Sequence, residues 1–502
     1  LDTGMNEDQI IQAIESGTGI RENKSRSIPF TCKVKTKVAE TLKFENKVFE
    51  KEFTVRAVRQ AVTSPDGKML IFNAAGLLYQ KILPDGKPGE LIVSIVGVEP
   101  KSLGKGKDLG GEFEPAFSSD GQQLLYVTWS DENRGQIIKI NRSNRLFQTL
   151  AQAPVIYRTP SFSPDGSQIV FRIQDGDDEM GPAMTDKPGI YLMDAGGGNV
   201  RFITADGENP RFSPDGARIF VQTGGALFGA LDKSLKSYDL DGKDERTHVK
   251  SKYGHSFTVS PDGKWLAFIE LHKTYICAFP QIGKPLDLSA DTKSVPVTCV
   301  SRDAGYNLHW SGDSQKLHYT LGDEYFTIDL KDRFSYLPGA PDSIPALPEA
   351  GLKIGLTLKA DAPEGALVFE NARILPMEGD RVIEKGVVVV ESNKIAFVGS
   401  QSEYQAARFR VNNPKVIDCS GKTIMPGIID VHAHPGNFRY GLNPQKQWEY
   451  YASLAYGVTT MHDPSVNSEM AFSNAEMLKS GRMVGSRLFS TGTILYGADG
   501  DF

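Results

Sequence analysis

The sequence predicts a multidomain protein in which an all-β propeller is followed by a small β-sandwich and by the first part of an α/β barrel. Three observations support this fold class. A turn motif followed by an alternating apolar strand recurs before residue 332, new short strands begin near Ala366, and a β-α-β-α-β order follows residue 423. At 502 residues the chain is also too long for one core, because single cores stop growing at about 250–300 residues.

The recurring turn is built on the tetrapeptide Ser-Pro-Asp-Gly. Its copies begin at Ser64, Ser118, Ser163, Ser213, Ser260 and Ser311, of which the second and sixth are variants. Pro sets φ, Asp can accept hydrogen bonds from the backbone ahead, and Gly tolerates a positive φ, so each copy predicts a tight turn between two strands. A period of about 50 residues with four strands per copy is typical of propeller blades. We therefore assign residues 28–332 to a propeller with about six blades and interpret the turn aspartates as structural.

Residues 1–27 are predicted to hold a short helix or linker, with Asn6 as N-cap and Gln9 at the capping-box position. The acidic loop at residues 175–179 lacks the ligand spacing of a calcium loop and is interpreted as solvated. His255, His272 and His309 stand singly in strand-like contexts, so we interpret them as structural.

Composition excludes several classes of function. With 40% hydrophobic and 24% charged residues the chain has the composition of a soluble globular protein, and no apolar run reaches the ~18 residues of a membrane span. A net charge of -6 without a dense Lys/Arg cluster argues against nucleic acid as a partner. The cysteines lack CxxC spacing and are interpreted as free thiols, with a Cys277–Cys299 bridge as the alternative. They are Cys32, Cys277, Cys299 and Cys419.

The second half of the chain changes character. Residues 333–365 are predicted to be a linker, because they have no sustained periodicity and are interrupted by Pro338, Pro341, Pro345 and Pro348. Residues 366–422 contain five short apolar strands and are assigned to the sandwich. Residues 423–502 are assigned to the first part of the barrel, which is incomplete in this chain.

A histidine pair follows the first barrel strand. The strand, Gly427 to Val431, is apolar at nearly every position, as parallel strands covered on both faces are. His432 and His434 are two residues apart, so on an extended chain both imidazoles point to the same side. Neutral imidazoles are ligands that zinc prefers, and the carboxyl ends of barrel strands are where catalytic groups gather. The pair is therefore our candidate metal site.

Two helices and two strands are predicted after the pair. Asn443 and Pro444 are suited to begin a helix whose apolar stripe would include Trp448 and Tyr451, with Leu454 and Ala455, and which Gly457 would end. A strand at 458–462, a helix at 468–479 and a strand at 487–491 would follow. His462 and Asp463 end the second strand at the same rim, so they are candidates for orienting substrate; a structural role behind the ligands is the favoured alternative.

Two family resemblances rest on these motifs. The run Pro160-Ser-Phe-Ser-Pro-Asp-Gly-Ser-Gln-Ile-Val-Phe171 resembles the blade motif of TolB-like or Tricorn-like propellers. The N-A-R-I sequence at Asn371, the run from Gly421 to His434 and the G-V-T-T sequence at Gly457 resemble the amidohydrolase superfamily, in particular its imidazolonepropionase-like and prolidase-like branch.

The second resemblance implies a chemistry. It implies that His432 and His434 bind one or two divalent metal ions, usually zinc. It also implies a general base and further ligands on later barrel strands, and none of these can be assigned in this chain. A complete barrel needs about 250 residues and eight strands, so we expect the remainder in another segment or chain.

The sequence therefore predicts a metal-dependent amidohydrolase that cleaves an amide-type C–N bond in a peptide or a cyclic amide with metal-activated water. The alternative is a non-catalytic binding scaffold of the bacterial cell envelope, with a protein partner on the propeller. The TolB-like resemblance implies a periplasmic or extracellular location in bacteria.

Overall fold

The computed structural model describes residues 39, 44–84, 89–90, 110–175, 185–225, 232–407, 411–435, 441–443 and 445–493. The predicted N-terminal helix, Cys32, Pro444 and all but Asp175 of the acidic loop lie outside these residues. No helix within the described ranges is long and apolar enough to cross a membrane.

The first part of the described chain forms six blades, each with four antiparallel strands, and the sheet of blade 4 has a fifth strand. Blade 1 contains β2 (Arg59–Thr63), β3 (Met69–Ala74), β4 (Leu77–Ile82) and β5 (Gly89–Glu90). Blade 2 contains β6 (Gly111–Phe117), β7 (Gln123–Ser130), β8 (Arg134–Asn141) and β9 (Phe147–Ala153). Blade 3 contains β10 (Ile156–Phe162), β11 (Gln168–Gln174), β12 (Gly189–Asp194) and β13 (Arg201–Thr204).

The other three blades repeat this order with one addition. Blade 4 contains β14 (Glu208–Phe212), β15 (Arg218–Thr223), β16 (Lys233–Asp239) and β17 (Arg246–Ser251). Blade 5 contains β18 (Gly254–Val259), β19 (Trp265–Glu270), β20 (Lys273–Ala278) and β22 (Val297–Cys299). Blade 6 contains β23 (Tyr306–Trp310), β24 (Lys316–Leu321), β25 (Glu324–Asp329) and β26 (Leu352–Lys353), with a 3-10 turn at Leu330–Asp332. The addition is β21 (Leu286–Asp287), which pairs in parallel with β17.

The predicted turns join the first and second strands of the blades. In the first copy, Gly67 N donates to Ser64 O over 2.8 Å, and Ser64 Oγ donates to Asp66 Oδ1 over 2.6 Å. The same pair of bonds is present in the other five copies. Each aspartate is therefore bound within its own turn, which agrees with its structural interpretation. In the sixth copy Ser314 replaces glycine and still takes φ 60°.

The six blades close into a ring, because the first strand of blade 1 packs against the first strand of blade 6. Asn307 Oδ1 accepts from Gln60 N over 2.8 Å, and Thr63 Oγ1 lies 2.7 Å from His309 Nε2. A second closure joins β1 (Glu52–Thr54) to β27 (Thr357–Lys359) in an antiparallel pair. Both β26 and β27 lie in the segment predicted to be a linker, so this segment contributes strands to the propeller.

The structure adds detail to the interpretation of His309 and rejects the alternative of a Cys277–Cys299 bridge. His309 does not stand alone, because its ring stacks on His318 with a centroid distance of 5.3 Å. Burial lowers the pKa of His309 to about 4, so the imidazole is neutral near pH 7. Cys277 and Cys299 lie on the paired strands β20 and β22 as free thiols, so the alternative of a bridge is wrong.

Residues 366–424 form a single mixed sheet of five strands. The strands are β28 (Ala366–Ile374), β29 (Ile383–Glu391), β30 (Lys394–Ser400), β31 (Lys415–Asp418) and β32 (Thr423–Ile424). Helix α1 (Gln401–Ala406) follows β30 and is capped by Ser400 and Glu403 in a capping box. The predicted sandwich is corrected to this one sheet within the described ranges, because β28 pairs with β29, β31 and β32, and β30 pairs with β29, so all five strands are hydrogen-bonded into one sheet.

The last part of the described chain is a three-stranded parallel sheet with helices between its strands. It contains β33 (Ile428–Asp430), α2 (Trp448–Ala455), β34 (Val458–Asp463), α3 (Ser468–Lys479) and β35 (Arg487–Ser490). The predicted β-α-β-α-β order is therefore present. Gly457 takes φ 84° directly after α2, and Asn467 caps α3 by accepting from Met470 N. This sheet of three strands shows no barrel.

Two predictions for this part were wrong. Strand β33 is exposed at every residue instead of being covered on both faces, since nothing among the described residues packs on its outer side; Ile429 is 62% exposed. Helix α2 begins after Gln447, not at Asn443, and its buried residue is Tyr450 while Trp448 is 56% exposed. The physical reason is that the side-chain oxygen of Asn443, which an N-cap would offer to the helix backbone, accepts from Arg59 instead.

Candidate metal site

The histidine pair lies in the bend that follows β33. His432 N donates to Asp430 Oδ1 over 3.0 Å, and Ala433 N donates to the carbonyl of His462 over 2.9 Å. The first bond fixes the bend at the strand end. The second ties it to the neighbouring strand β34, so the position of the pair is set by the parallel sheet.

The two imidazoles are close enough to bind a single ion. Their ring centroids are 5.1 Å apart and their planes are nearly perpendicular, at 87°. Two imidazoles on one tetrahedral zinc ion, with Zn–N bonds of about 2.1 Å, would place their centroids about 5 Å apart. The donor chemistry and the separation therefore fit a divalent metal. Within the described residues no group of three or more metal-ligating side chains is found, so the pair by itself is an incomplete ligand set.

Asp463 is the hydrogen-bond partner of the His434 imidazole. Its Oδ1 lies 3.0 Å from His434 Nδ1, and the carboxylate is only 1% exposed whereas the imidazole is 46% exposed. Burial raises the pKa of Asp463, and hydrogen bonds from Ser465 N and from His434 act against that shift. When Nδ1–H donates to the carboxylate, Nε2 is left with its lone pair free for a metal. A carboxylate in this position is the usual partner of a metal-binding histidine.

The four residues predicted from the sequence, which are His432, His434, His462 and Asp463, therefore have different positions in the site. The structure brings His432, His434 and Asp463 together and gives Asp463 the supporting position. His462 contributes its backbone carbonyl to the bend, and its side chain is partly buried. Nothing in these contacts assigns a substrate role to His462.

Sequence reasoning missed the residues that hold this region on the propeller. Asn443, which lies between the histidine pair and α2, accepts a short hydrogen bond from Arg59 Nη1 and donates to Asn474 Oδ1 over 2.5 Å. Arg59 Nη2 also donates to Gly441 O over 2.6 Å. Arg59 begins the inner strand of blade 1, so the segment after the histidine pair is anchored beside the propeller axis.

A second anchor is a buried carboxylate on α3. Glu476 Oε1 accepts from Arg56 N over 2.6 Å and from Ala57 N over 3.3 Å. Burial raises the pKa of Glu476 to about 8, and the two backbone donors act against that shift. A carboxylate in the middle of a polar helix carries no sequence signal for this role, because its partners lie 420 positions away.

Comparisons with known proteins find two kinds of match. Residues 95–276 match the family described as TolB beta propeller domain. Imidazolonepropionase from Bacillus cereus (strain G9842) is 39% identical over 83 residues, which are 16% of this chain and 18% of that enzyme. The imidazolonepropionase of Bacillus anthracis (strain A0248) is 37% identical over the same length. The chain thus spans less than a fifth of the length of the curated relatives it matches.

Two solved structures align with the larger part of the chain. TolB from Acinetobacter baumannii has 18% identity and a TM-score of 0.36, covering 56% of this chain and 60% of its own. A putative TolB from Agrobacterium tumefaciens has 17% identity and a TM-score of 0.38, covering 55% and 97%. From the family match and its own architecture, the chain is a mostly β protein with a TolB-like β-propeller, and 83 of its residues are similar to imidazolonepropionase.

Proposed function

We propose that this protein is a metal-dependent hydrolase that cleaves an amide-type C–N bond in a peptide or a cyclic amide. The observation that carries the proposal is the pair His432 and His434 at the end of a parallel strand, with the buried Asp463 bonded to His434 Nδ1. The short similarity to imidazolonepropionase supports the reaction class. By its resemblance to TolB-like propellers we further propose a periplasmic or extracellular location.

The described residues would hold the metal ion and orient one of its ligands. His432 and His434 would each give one imidazole nitrogen to a divalent ion, most simply zinc. Asp463 would hold His434 in the Nδ1–H tautomer, so that Nε2 faces the ion. A bound zinc ion supplies a Lewis acid for the scissile carbonyl and lowers the pKa of a water molecule to about 7. The general base and the remaining ligands are not assigned to any described residue.

Metal content tests the ligand assignment. Zinc would be measured by inductively coupled plasma mass spectrometry in the full natural protein, in His432→Ala and in His434→Ala. The matched control is His248→Ala, which removes a propeller histidine that bonds Ser237 Oγ. We expect both site variants to lose zinc and the control to keep it. Unchanged zinc in both site variants would refute the assignment.

Turnover tests the reaction class. A panel of dipeptides and cyclic amides would be assayed for release of amine, before and after removal of metal with 1,10-phenanthroline. We expect chelation to abolish cleavage and added zinc to restore it. If the metal is present but no member of the panel is cleaved, a non-catalytic role for the metal-loaded protein is supported instead.

A further inference from the structure

The core beneath the histidine pair includes a residue of the propeller. Ala433 lies between the two histidines, and its side chain packs on the apolar cluster that contains Tyr450 and Met461. Ala75, in the turn between β3 and β4 of blade 1, belongs to the same cluster and is fully buried. The backbone that carries the two imidazoles therefore rests on packing to which blade 1 contributes.

Arg59 of blade 1 is a buried cation whose acceptors lie in the segment after the pair. The residue is 4% exposed, and burial lowers its pKa, with the charge of Glu469 acting against that shift. Nη1 donates to the side-chain oxygen of Asn443, and Nη2 donates to Gly441 O over 2.6 Å. Among the described residues these are the only acceptors of the guanidinium. Because a guanidinium stays charged in a protein and leaving its donors unpaired in the interior costs free energy, the burial of Arg59 holds residues 441–443 against blade 1.

Hydrogen bonds continue from Asn443 into the core beneath the pair. Asn443 Nδ2 donates to Asn474 Oδ1 over 2.5 Å, and Asn474 Nδ2 donates to Tyr450 Oη over 3.4 Å. Asn443 and Tyr450 are fully buried, so water does not compete for these bonds. Tyr450 belongs to the cluster on which Ala433 packs. Arg59 is thus linked through three polar side chains to the packing under the pair.

The backbone that carries the pair is fixed on both sides. Ala433 N donates to the carbonyl of His462 on β34 over 2.9 Å. Gly441 lies seven residues beyond His434, and its carbonyl is held by Arg59 and, at 3.2 Å, by Gln60 Nε2. Because the His434 side chain is 46% exposed, its position depends mainly on the backbone and on its bond to the buried carboxylate. Release of residues 441–443 would free that backbone on one side.

We propose that Arg59 of the propeller is a positioning residue of the metal site. It holds Gly441 and Asn443, and so restricts the backbone that presents the two imidazoles. Ligands that are held in place bind an ion more tightly, because less conformational freedom is lost on binding. This role rests on the proposed function, and it makes the metal affinity depend on the propeller.

Zinc affinity in the full natural protein tests this role, with a chelating dye as competitor. Arg59→Met fills similar space without donors, so we expect about tenfold weaker zinc binding, as is typical when a partner outside the metal ligands is removed. Arg59→Lys keeps the charge and should recover part of the affinity. The matched control is Arg218→Met, which removes a propeller arginine bonded to Ser237 and Asp244 in blade 4 and should bind zinc like wild type.

Cobalt substitution separates positioning from general damage to the fold. The visible spectrum of bound Co²⁺ depends on the geometry of its ligands, whereas loss of a residue that only stabilises the fold would leave the spectrum of the folded protein unchanged. With circular dichroism used to select folded protein, we expect Arg59→Met to change the Co²⁺ spectrum at saturating metal. Asn443→Ala removes the acceptor of Arg59 Nη1 from the other side of the contact. It should weaken zinc binding in the same way, and it serves as the test if Arg59→Met does not fold.

The outcomes distinguish this role from the metal assignment itself. Zinc affinity and Co²⁺ spectra like those of wild type in Arg59→Met and Asn443→Ala would overturn the positioning role, and so would an equal loss of affinity in Arg218→Met. If His432→Ala loses zinc while Arg59→Met keeps full affinity, the metal site stands and only the role of Arg59 is refuted. If His432→Ala and His434→Ala both keep zinc, the metal assignment is wrong and the role of Arg59 falls with it.

Discussion

Glu476 joins helix α3 to the propeller, and its charge should control how firmly the two are held. The carboxyl is 8% exposed and accepts hydrogen bonds from the backbone of Arg56 and Ala57. Its pKa is raised from 4.5 to about 8, with burial as the largest cause and the charge of Asp323 as a further one. The protonated form still accepts through Oε1, which receives both backbone donors. Glu476 is therefore best accommodated as the neutral acid.

The sign of the pH dependence follows from that shift. Between pH 4.5 and pH 8 the folded protein keeps the Glu476 proton while the unfolded chain has lost it. The free energy of unfolding therefore falls as pH rises through this window, by at most about 1.4 kcal/mol per pH unit. Over the whole window the ceiling is about 5 kcal/mol. Below pH 4.5 both states are protonated, and above pH 8 the loss is complete.

Glu476→Gln should remove this dependence. Gln is neutral at every pH and keeps one oxygen for the backbone of Arg56 and Ala57, so stability near pH 5 should change by less than about 1 kcal/mol. Near pH 8.5 the variant should be more stable than wild type. Glu476→Ala should lose about 2–4 kcal/mol at all pH values, because two backbone N–H groups lose their partner and a cavity remains.

Urea denaturation between pH 5 and pH 9 measures these differences, and hydrogen exchange of the Arg56 and Ala57 amides reports on the interface itself. The matched control is Glu378→Gln, which removes a carboxylate that is 67% exposed and paired with Arg381. Its profile should follow wild type within about 0.5 kcal/mol. If Glu476→Gln and wild type show parallel pH profiles, the neutral-acid interpretation of Glu476 is wrong.

Two further predictions concern the metal site and the blade turns. Asp463→Asn should weaken zinc binding by about 10–100-fold, because it removes the negative charge that is bonded to His434 Nδ1. Competition with a chelating dye measures the zinc affinity. The control is Asp241→Asn, which changes an exposed carboxylate and should leave the zinc affinity unchanged. Gly166→Ala should lower the free energy of unfolding by about 1–2 kcal/mol, because Gly166 has φ 74°. An added Cβ would meet no other atom, so the loss comes from the backbone conformation alone. Gly196→Ala, also in open space but without a positive φ, is the control in urea denaturation. Equal stability of the two glycine variants would contradict the role of the turn.

The blade turns were predictable because their chemistry is local. Ser64, Asp66 and Gly67 satisfy one another within four residues, and the same holds in the later copies. The β-α-β-α-β order was predictable for a similar reason, since caps such as Asn467 and Gly457 lie beside the helix ends that they define. The helix start assigned to Asn443 failed because its polar groups bind Arg59 and Asn474, which no local pattern reveals.

The sequence by itself determined the repeated blade turns, the parallel strand order and the histidine pair at the end of β33, because each depends on residues only a few positions apart. The tertiary structure alone decided that Asp463 supports His434, that Glu476 binds the backbone at Arg56, and that strands within the predicted linker close the propeller. These features join groups from 29 to 420 positions apart, and burial and charge at such distances depend on how the whole chain packs.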